Sequence, residues 1–339
     1  MKKASFFSLA ILAMLGCANM QHTTAQTGYK ISRKIPLEGD GFWDYLAVDE
    51  STERLFVSHG TQVQVVDLQT GKQVGAIPDL KGVHGIAFAP EAKKGFITCG
   101  RDTSVTVFDL QTLAVSGKIK VTGANPDAIL YDPFSHHIFT FNHNGNSATV
   151  IDAATNKVVG TVNLDGSPEF GVTDGKGTIY LNIEDKSEVA VINAMTLKVE
   201  KYWPIAPGQE PSGLAFDAEN QRLFSVTDEL MVVLDAKTGK VVQTLPIGGG
   251  VDGAAYDPAT HRAYSSNGEG SMTVVDASKS DCKVLQTMTT QRGARTIALD
   301  HKTHKLYLPT AEFEATPGAN GRPAAKAGSF VVLEVAAGD

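Results

Sequence analysis

A five-residue phrase, apolar with alternating positions and closing on an acid or an amide, returns seven times along the chain. The copies are Val63-Gln64-Val65-Val66-Asp67, Val105-Thr106-Val107-Phe108-Asp109, Ala148-Thr149-Val150-Ile151-Asp152, Val189-Ala190-Val191-Ile192-Asn193, Met231-Val232-Val233-Leu234-Asp235, Met272-Thr273-Val274-Val275-Asp276 and Phe330-Val331-Val332-Leu333-Glu334. Successive copies end 42, 43, 41, 42, 41 and 58 residues apart, so the last unit carries an insertion. Such a period over most of a 339-residue chain marks a repeat architecture.

A second marker keeps step with the first. Asp49, Ala89, Asp132, Asp174, Asp217, Asp257 and Asp300 each end a short apolar run. A run with an aromatic follows, as in Arg54-Leu55-Phe56-Val57, Thr178-Ile179-Tyr180-Leu181 and Lys305-Leu306-Tyr307-Leu308. After the Val-rich phrase comes a turn and a fourth run: Gly71-Lys72 leads into Gln73–Ile77, and Gly239-Lys240 into Val241–Leu245. Period-2 alternation in four short runs per unit specifies a blade of four antiparallel strands, and no 3.6-residue period competes. The reading is an all-β, seven-bladed β-propeller, a single domain over residues 29–339. The seventh unit lacks a fourth run of its own. Tyr29–Leu37, ahead of the first unit, is a spare strand predicted to form the outer edge of blade seven and close the ring, covering an edge that would otherwise pair with other chains. The marker aspartates precede turns, as in Tyr131-Asp132-Pro133, and are expected to accept backbone N–H bonds there.

Residues 1–25 read as an export signal: Lys2 and Lys3, then an apolar stretch from Ala4 to Leu15 too short to span a bilayer. Three processing routes compete: cleavage before Asn19, cleavage before Gln26, or lipidation of Cys17 after Gly16. The expected location is periplasmic or extracytoplasmic, with any membrane contact through a lipid on Cys17. Cys99 and Cys282 fall four blades apart and are read as separate thiols. The net charge of −7 gives no long-range attraction for nucleic acid or anionic lipid.

With the repeats laid out, the chain resembles the bacterial YncE-like group of YVTN-repeat β-propellers over roughly residues 29–335. Longer phrases add to the repeat core: Ser167-Pro168-Glu169-Phe170-Gly171-Val172, Leu181-Asn182-Ile183-Glu184-Asp185-Lys186-Ser187, Gly248-Gly249-Gly250-Val251-Asp252, Gln291-Arg292-Gly293-Ala294-Arg295-Thr296 and Leu308-Pro309-Thr310-Ala311-Glu312-Phe313. The resemblance implies the fold. It implies little about activity, and the nucleic-acid binding reported for some members sits poorly with this chain's acidity.

In a propeller the loops entering each inner strand surround one mouth of the central channel. The residues five positions before the inner-strand marker are Asp44, His84, Asp127, Glu169, Ser212, Asp252 and Arg295. Six are titratable, and the mixture of types departs from what repeated structural capping would give. Residues three beyond the strand-two aromatic make a second set: His59, Cys99, Asn142, Ile183, Thr227, Asn267 and Thr310. Trp43, Arg101, His143, Asn182, Glu184 and Glu312 lie nearby. The expected ligand-binding residues are therefore Trp43, Asp44, His59, His84, Arg101, Asp127, Asn142, Glu169, Asn182, Glu184, Asp252, Asn267, Arg295, Thr310 and Glu312.

Crowded carboxylates call for protons, an arginine or a cation. The sequence identifies no cofactor, and a divalent metal, Ca²⁺ or a transition metal, is an option. Asp127, Glu169, Asn182, Glu184 and Asp252 offer oxygens for Ca²⁺, and His59, His84 and His143 offer nitrogens for a transition metal. Two functions stand side by side. One is a monomeric module that binds a small polar ligand or an envelope protein. The other is a metal-assisted lactonase-type hydrolase, by analogy with propellers that hold a metal on Glu, Asn and Asp. Glu169, Asn182 and Asp252 would then be ligands and His84 the base. No nucleophile elbow, phosphate loop or dinucleotide fingerprint is present. The insertion Ala311–Gly328 is expected to be a mobile flap or a plain surface excursion.

Overall fold

The structure is a computed structural model that describes residues 1, 28–39, 41–317 and 323–338. The predicted leader, with Cys17, lies outside the described residues. Seven four-stranded antiparallel sheets form the ring. Blade 1 holds Trp43–Asp49, Arg54–His59, Gln62–Asp67 and Gln73–Ile77 from the channel outwards. Blades 2 to 6 repeat this order, and the inner strands of neighbouring blades touch all the way round, including blade 7 on blade 1.

Blade 7 is built as its missing strand predicts. Ala298–Asp300, Lys305–Thr310 and Val331–Ala337 are joined by Tyr29–Pro36 as the outer strand, paired from Tyr29↔Ala337 to Pro36↔Val331 with one register shift between Ile31 and Arg33. A buried charge cluster pins the clasp. Glu334 takes Arg33, Lys305 (3.0 Å) and the Ser32 hydroxyl (2.8 Å) on one carboxylate.

The aromatic of each second strand packs between blades. Phe56, Phe96, Phe139, Tyr180, Phe224, Tyr264 and Tyr307 are all buried. Each of the seven apolar clusters among the described residues combines side chains of two adjacent blades, for example Phe56 of blade 1 with Ile97 and Phe108 of blade 2. The core is thus a ring of seven interfaces rather than one centre, and burial of these rings is the main favourable term.

The turns follow from local chemistry. Asp67 accepts the Thr70 backbone N–H and hydroxyl, both at 2.7 Å, and Asp109, Asp152 and Asp235 repeat the pattern with Thr112, Thr155 and Thr238. The next residue must be left-handed, which glycine adopts without strain; Gly71 and Gly239 have φ of 68° and 73°. The marker aspartates cap turns as expected: Asp132 accepts from Ser135 N, Asp217 from Asn220 N and Asp300 from Lys302 N. Cys99 and Cys282 are free, buried thiols. The insertion in blade 7 forms a hairpin of Phe313–Pro317 with Pro323–Ala325, and Phe313 packs at its base on Trp43.

Candidate functional site

Five of the inner strands carry a bulge at the ring position. Pairing shifts register between Trp43 and Leu46, Val83 and Ile86, Pro126 and Ile129, Pro168 and Gly171, and Val251 and Gly253. Asp44, His84, Asp127, Glu169 and Asp252 lie within these shifts. A bulge breaks the two-residue alternation and re-aims a side chain that would otherwise lie against a neighbouring blade. The outcome is convergence. Asp44, His84, Asp127, Glu169, Ser212, Asp252 and Arg295 all line one cavity of about 930 Å³. Glu184, Glu210 and Asp228 join them, as do Tyr45, Gln209 and Thr227.

Contacts among the ring residues are close. His84 Nδ1 lies 2.6 Å from Asp44 Oδ2 and 3.3 Å from Asp127 Oδ1. Arg295 spans Asp44 Oδ1 at 3.4 Å and Asp252 Oδ2 at 2.8 Å. His143, first residue of the short turn His143–Gly145, places Nδ1 2.9 Å from Glu169 Oε1 and Nε2 3.8 Å from Glu184 Oε2. Gly100 makes room for this arrangement, since a Cβ there would meet His84 Nε2 at 2.8 Å.

Seven carboxylates line the cavity, with Arg295 the sole arginine or lysine among the lining residues. Proton affinities respond accordingly. Burial, then the charges of Asp44, Glu169 and Asp252, push Asp127 up to about 7 against the opposing pull of His84. Burial likewise lifts Asp252 to about 7, although Arg295 pulls the other way. The Glu169 carboxylate beside Nδ1 raises His143 to about 9, against the effect of its own burial. Burial would lower His84, but Asp44 and Asp127 more than offset it and its pKa rises. Burial and the surrounding carboxylates raise the Tyr45 phenol well above its ordinary value, so it stays neutral. The mouth therefore holds ionisable groups that change charge near neutral pH.

A second cavity of about 460 Å³ adjoins the first and shares Asp44, His84 and Arg295. Trp43 and Arg101 line this one, with the exposed Phe42. The Trp43 indole N–H donates to Gly293 O at 3.3 Å.

The second expected set does not reach the mouth, Thr227 excepted. His59, Asn142, Asn267 and Thr310 are buried within their blades. His59 meets Gln64 at 2.9 Å and stacks on Phe330; the Asn142 amide donates to Ser147 and Thr149; the Asn267 amide donates to Ser271 and Thr273; Thr310 donates to Arg292 O. Asn182 is turned between blades 4 and 5, donating to Ser212 O at 2.8 Å and Gly213 O at 3.0 Å. The expected metal set of Glu169, Asn182 and Asp252 is thus not assembled. Glu312 lines neither cavity; it is exposed in the insertion and pairs with Lys326 at 3.0 Å.

The error is one residue of register. The residue after each member of the second set opens the turn at the mouth, and there stand His143, Glu184 and Asp228. His143 and Glu184 are already named in the sequence reading, and alternation along the second strand, carried one step further, adds Asp228. Gln209 and Glu210 belong to the irregular entry into blade 5, where no repeat offset applies.

No model of a known protein family matches the chain, and no curated protein matches it.

Proposed function

We propose that this protein is an exported, YncE-like propeller that binds a small polar ligand carrying positive charge in the mouth of its central channel. A propeller of this kind fits a binding or interaction module, with rigid strands presenting a fixed cavity. One observation carries the finer reading. Seven sequence-distant positions at a common offset open on a single cavity whose lining holds seven carboxylates against one arginine. Partly enclosed carboxylates attract a cation more strongly than they would in free solution, and the mixed ring of acid, imidazole and guanidinium offers directional donors and acceptors for its polar groups.

The test is a thermal-shift and calorimetric screen with a short diamine, an amino sugar and a neutral sugar. The cationic probes should raise the melting temperature of the wild type, and the neutral sugar should not. The pair Glu169→Ala with Asp252→Ala should lose that response while keeping its far-UV circular dichroism. A folded double variant that binds the cationic probes as the wild type does removes the proposal.

A further inference from the structure

Within the mouth, one trio differs from the rest in what its polar atoms lack. Asp127, His143 and Glu169 each offer a ligand atom, and the three atoms lie within 4.8 Å of one another. Asp127 Oδ1 and His143 Nδ1 are both buried, and neither makes a hydrogen bond among the described residues. His143 Nδ1 sits 2.9 Å from Glu169 Oε1 without the alignment a hydrogen bond requires. Their nearest counterparts are ion-pair contacts, His84 Nδ1 at 3.3 Å from Asp127 Oδ1 and Glu169 Oε1 at 2.9 Å from His143 Nδ1; buried polar atoms normally form hydrogen bonds, and two that do not are open to a shared cation.

The neighbouring trio, Asp44, His84 and Asp127, is a weaker candidate although its atoms are equally close. There the imidazole already hydrogen-bonds Asp44 Oδ2 at 2.6 Å, and Arg295 occupies Asp44 Oδ1. A proton and a guanidinium do on that side what a cation would do on the other.

We infer that Asp127, His143 and Glu169 form a binding site for one divalent transition-metal ion, with Glu184 orienting His143. An imidazole with two carboxylates suits Zn²⁺ or Mn²⁺ rather than Ca²⁺, which takes six to eight oxygens. With Nδ1 on the metal, the ring's Nε2–H faces Glu184 Oε2 at 3.8 Å. At that distance the carboxylate attracts the N–H by charge alone, and closing the gap would complete the carboxylate–imidazole–metal order that fixes tautomer and ring orientation. Asp127 and Glu169 line the main cavity, so a cation held by them is open to it. The inference deepens the reading of the mouth as a cation-attracting site and fails separately from it.

The experiment uses chelator-treated protein titrated with Zn²⁺ and with Ca²⁺ by calorimetry. One equivalent of Zn²⁺ should bind, and Ca²⁺ should bind far more weakly. His143→Gln and Asp127→Asn should each cut Zn²⁺ affinity by about 100-fold and Glu184→Gln by about 10-fold, and His84→Gln should cost less than His143→Gln. Mn²⁺ should also broaden the His143 imidazole resonances of the unmutated protein, which needs no variant to fold. Absent saturable Zn²⁺ binding, equal affinity for Ca²⁺, or loss in His84→Gln with retention in His143→Gln each overturns the site. If the diamine still binds in those cases, the polar-ligand reading survives; if it too fails, both fall.

Discussion

Arg295 joins two carboxylates that would otherwise repel, and its half-exposed guanidinium is held more firmly charged by Asp252 and Asp44. Arg295→Gln should therefore cost about 1 kcal/mol at pH 8, solvent screening the half-exposed pairs. At pH 5 the loss should be clearly smaller, because the crowded carboxylates then take up protons instead. Urea unfolding at the two pH values checks this, and an equal loss at both contradicts it. Gly100 is a second single-residue determinant. Gly100→Ala should displace His84 from Asp44 and bring the imidazole pKa down towards its ordinary value, read by proton NMR. Sequence made the ring residues legible because each blade repeats its entry at the same offset. It concealed the fate of His59, Asn142, Asn182, Asn267 and Thr310 because a polar side chain at a strand end looks the same whether it faces water or a buried neighbour. The Asn182 amide is satisfied by carbonyls of blade 5, a partner that no local pattern names.

At the scale of strands, the closing clasp was readable from an imbalance: one unit short of a strand and one strand without a unit. Its electrostatic pin was not, since Ser32, Arg33 and Lys305 reach Glu334 across about three hundred residues of chain for two of the three contacts. Burial would raise the Glu334 pKa, but its bonds to Lys305, Ser32 and Arg33 outweigh that and depress it. A depressed carboxylate stabilises the fold above its unfolded pKa and loses that contribution as pH falls through the folded value. The clasp should hence loosen first in acid, seen as early hydrogen exchange in Tyr29–Pro36 below about pH 4. Glu334→Ala should cost about 2 kcal/mol at pH 7 and abolish that acid sensitivity. The interblade aromatics carry more. Phe224 is fully buried, and Phe224→Ala should cost about 3–5 kcal/mol by denaturant unfolding.

For the molecule as a whole, the mouth sets an unusual pH dependence. Asp127 and Asp252 are raised, so the folded state keeps protons that the unfolded chain has released, and stability falls as pH rises from about 4 towards 7. His143 is also raised, so its stabilising contribution is complete below about 6.5 and lost as pH climbs to about 9. Both effects slope the same way, and the ligand-free protein should melt highest near pH 5 and decline steadily towards pH 9. The repeat period made the ring legible at this scale, but not the acidity of its mouth, because Glu210 and Asp228 enter from positions outside the ring offset. Strand entries and loops scattered along the chain deliver their carboxyls into one partly enclosed space. Side-chain carboxyl NMR titration tests it most directly. Two aspartates should show midpoints near pH 7, one disappearing in Asp127→Asn and the other in Asp252→Asn. Midpoints below about 5 for every aspartate would mean that these groups stand apart in water, and the cavity built from them would not exist.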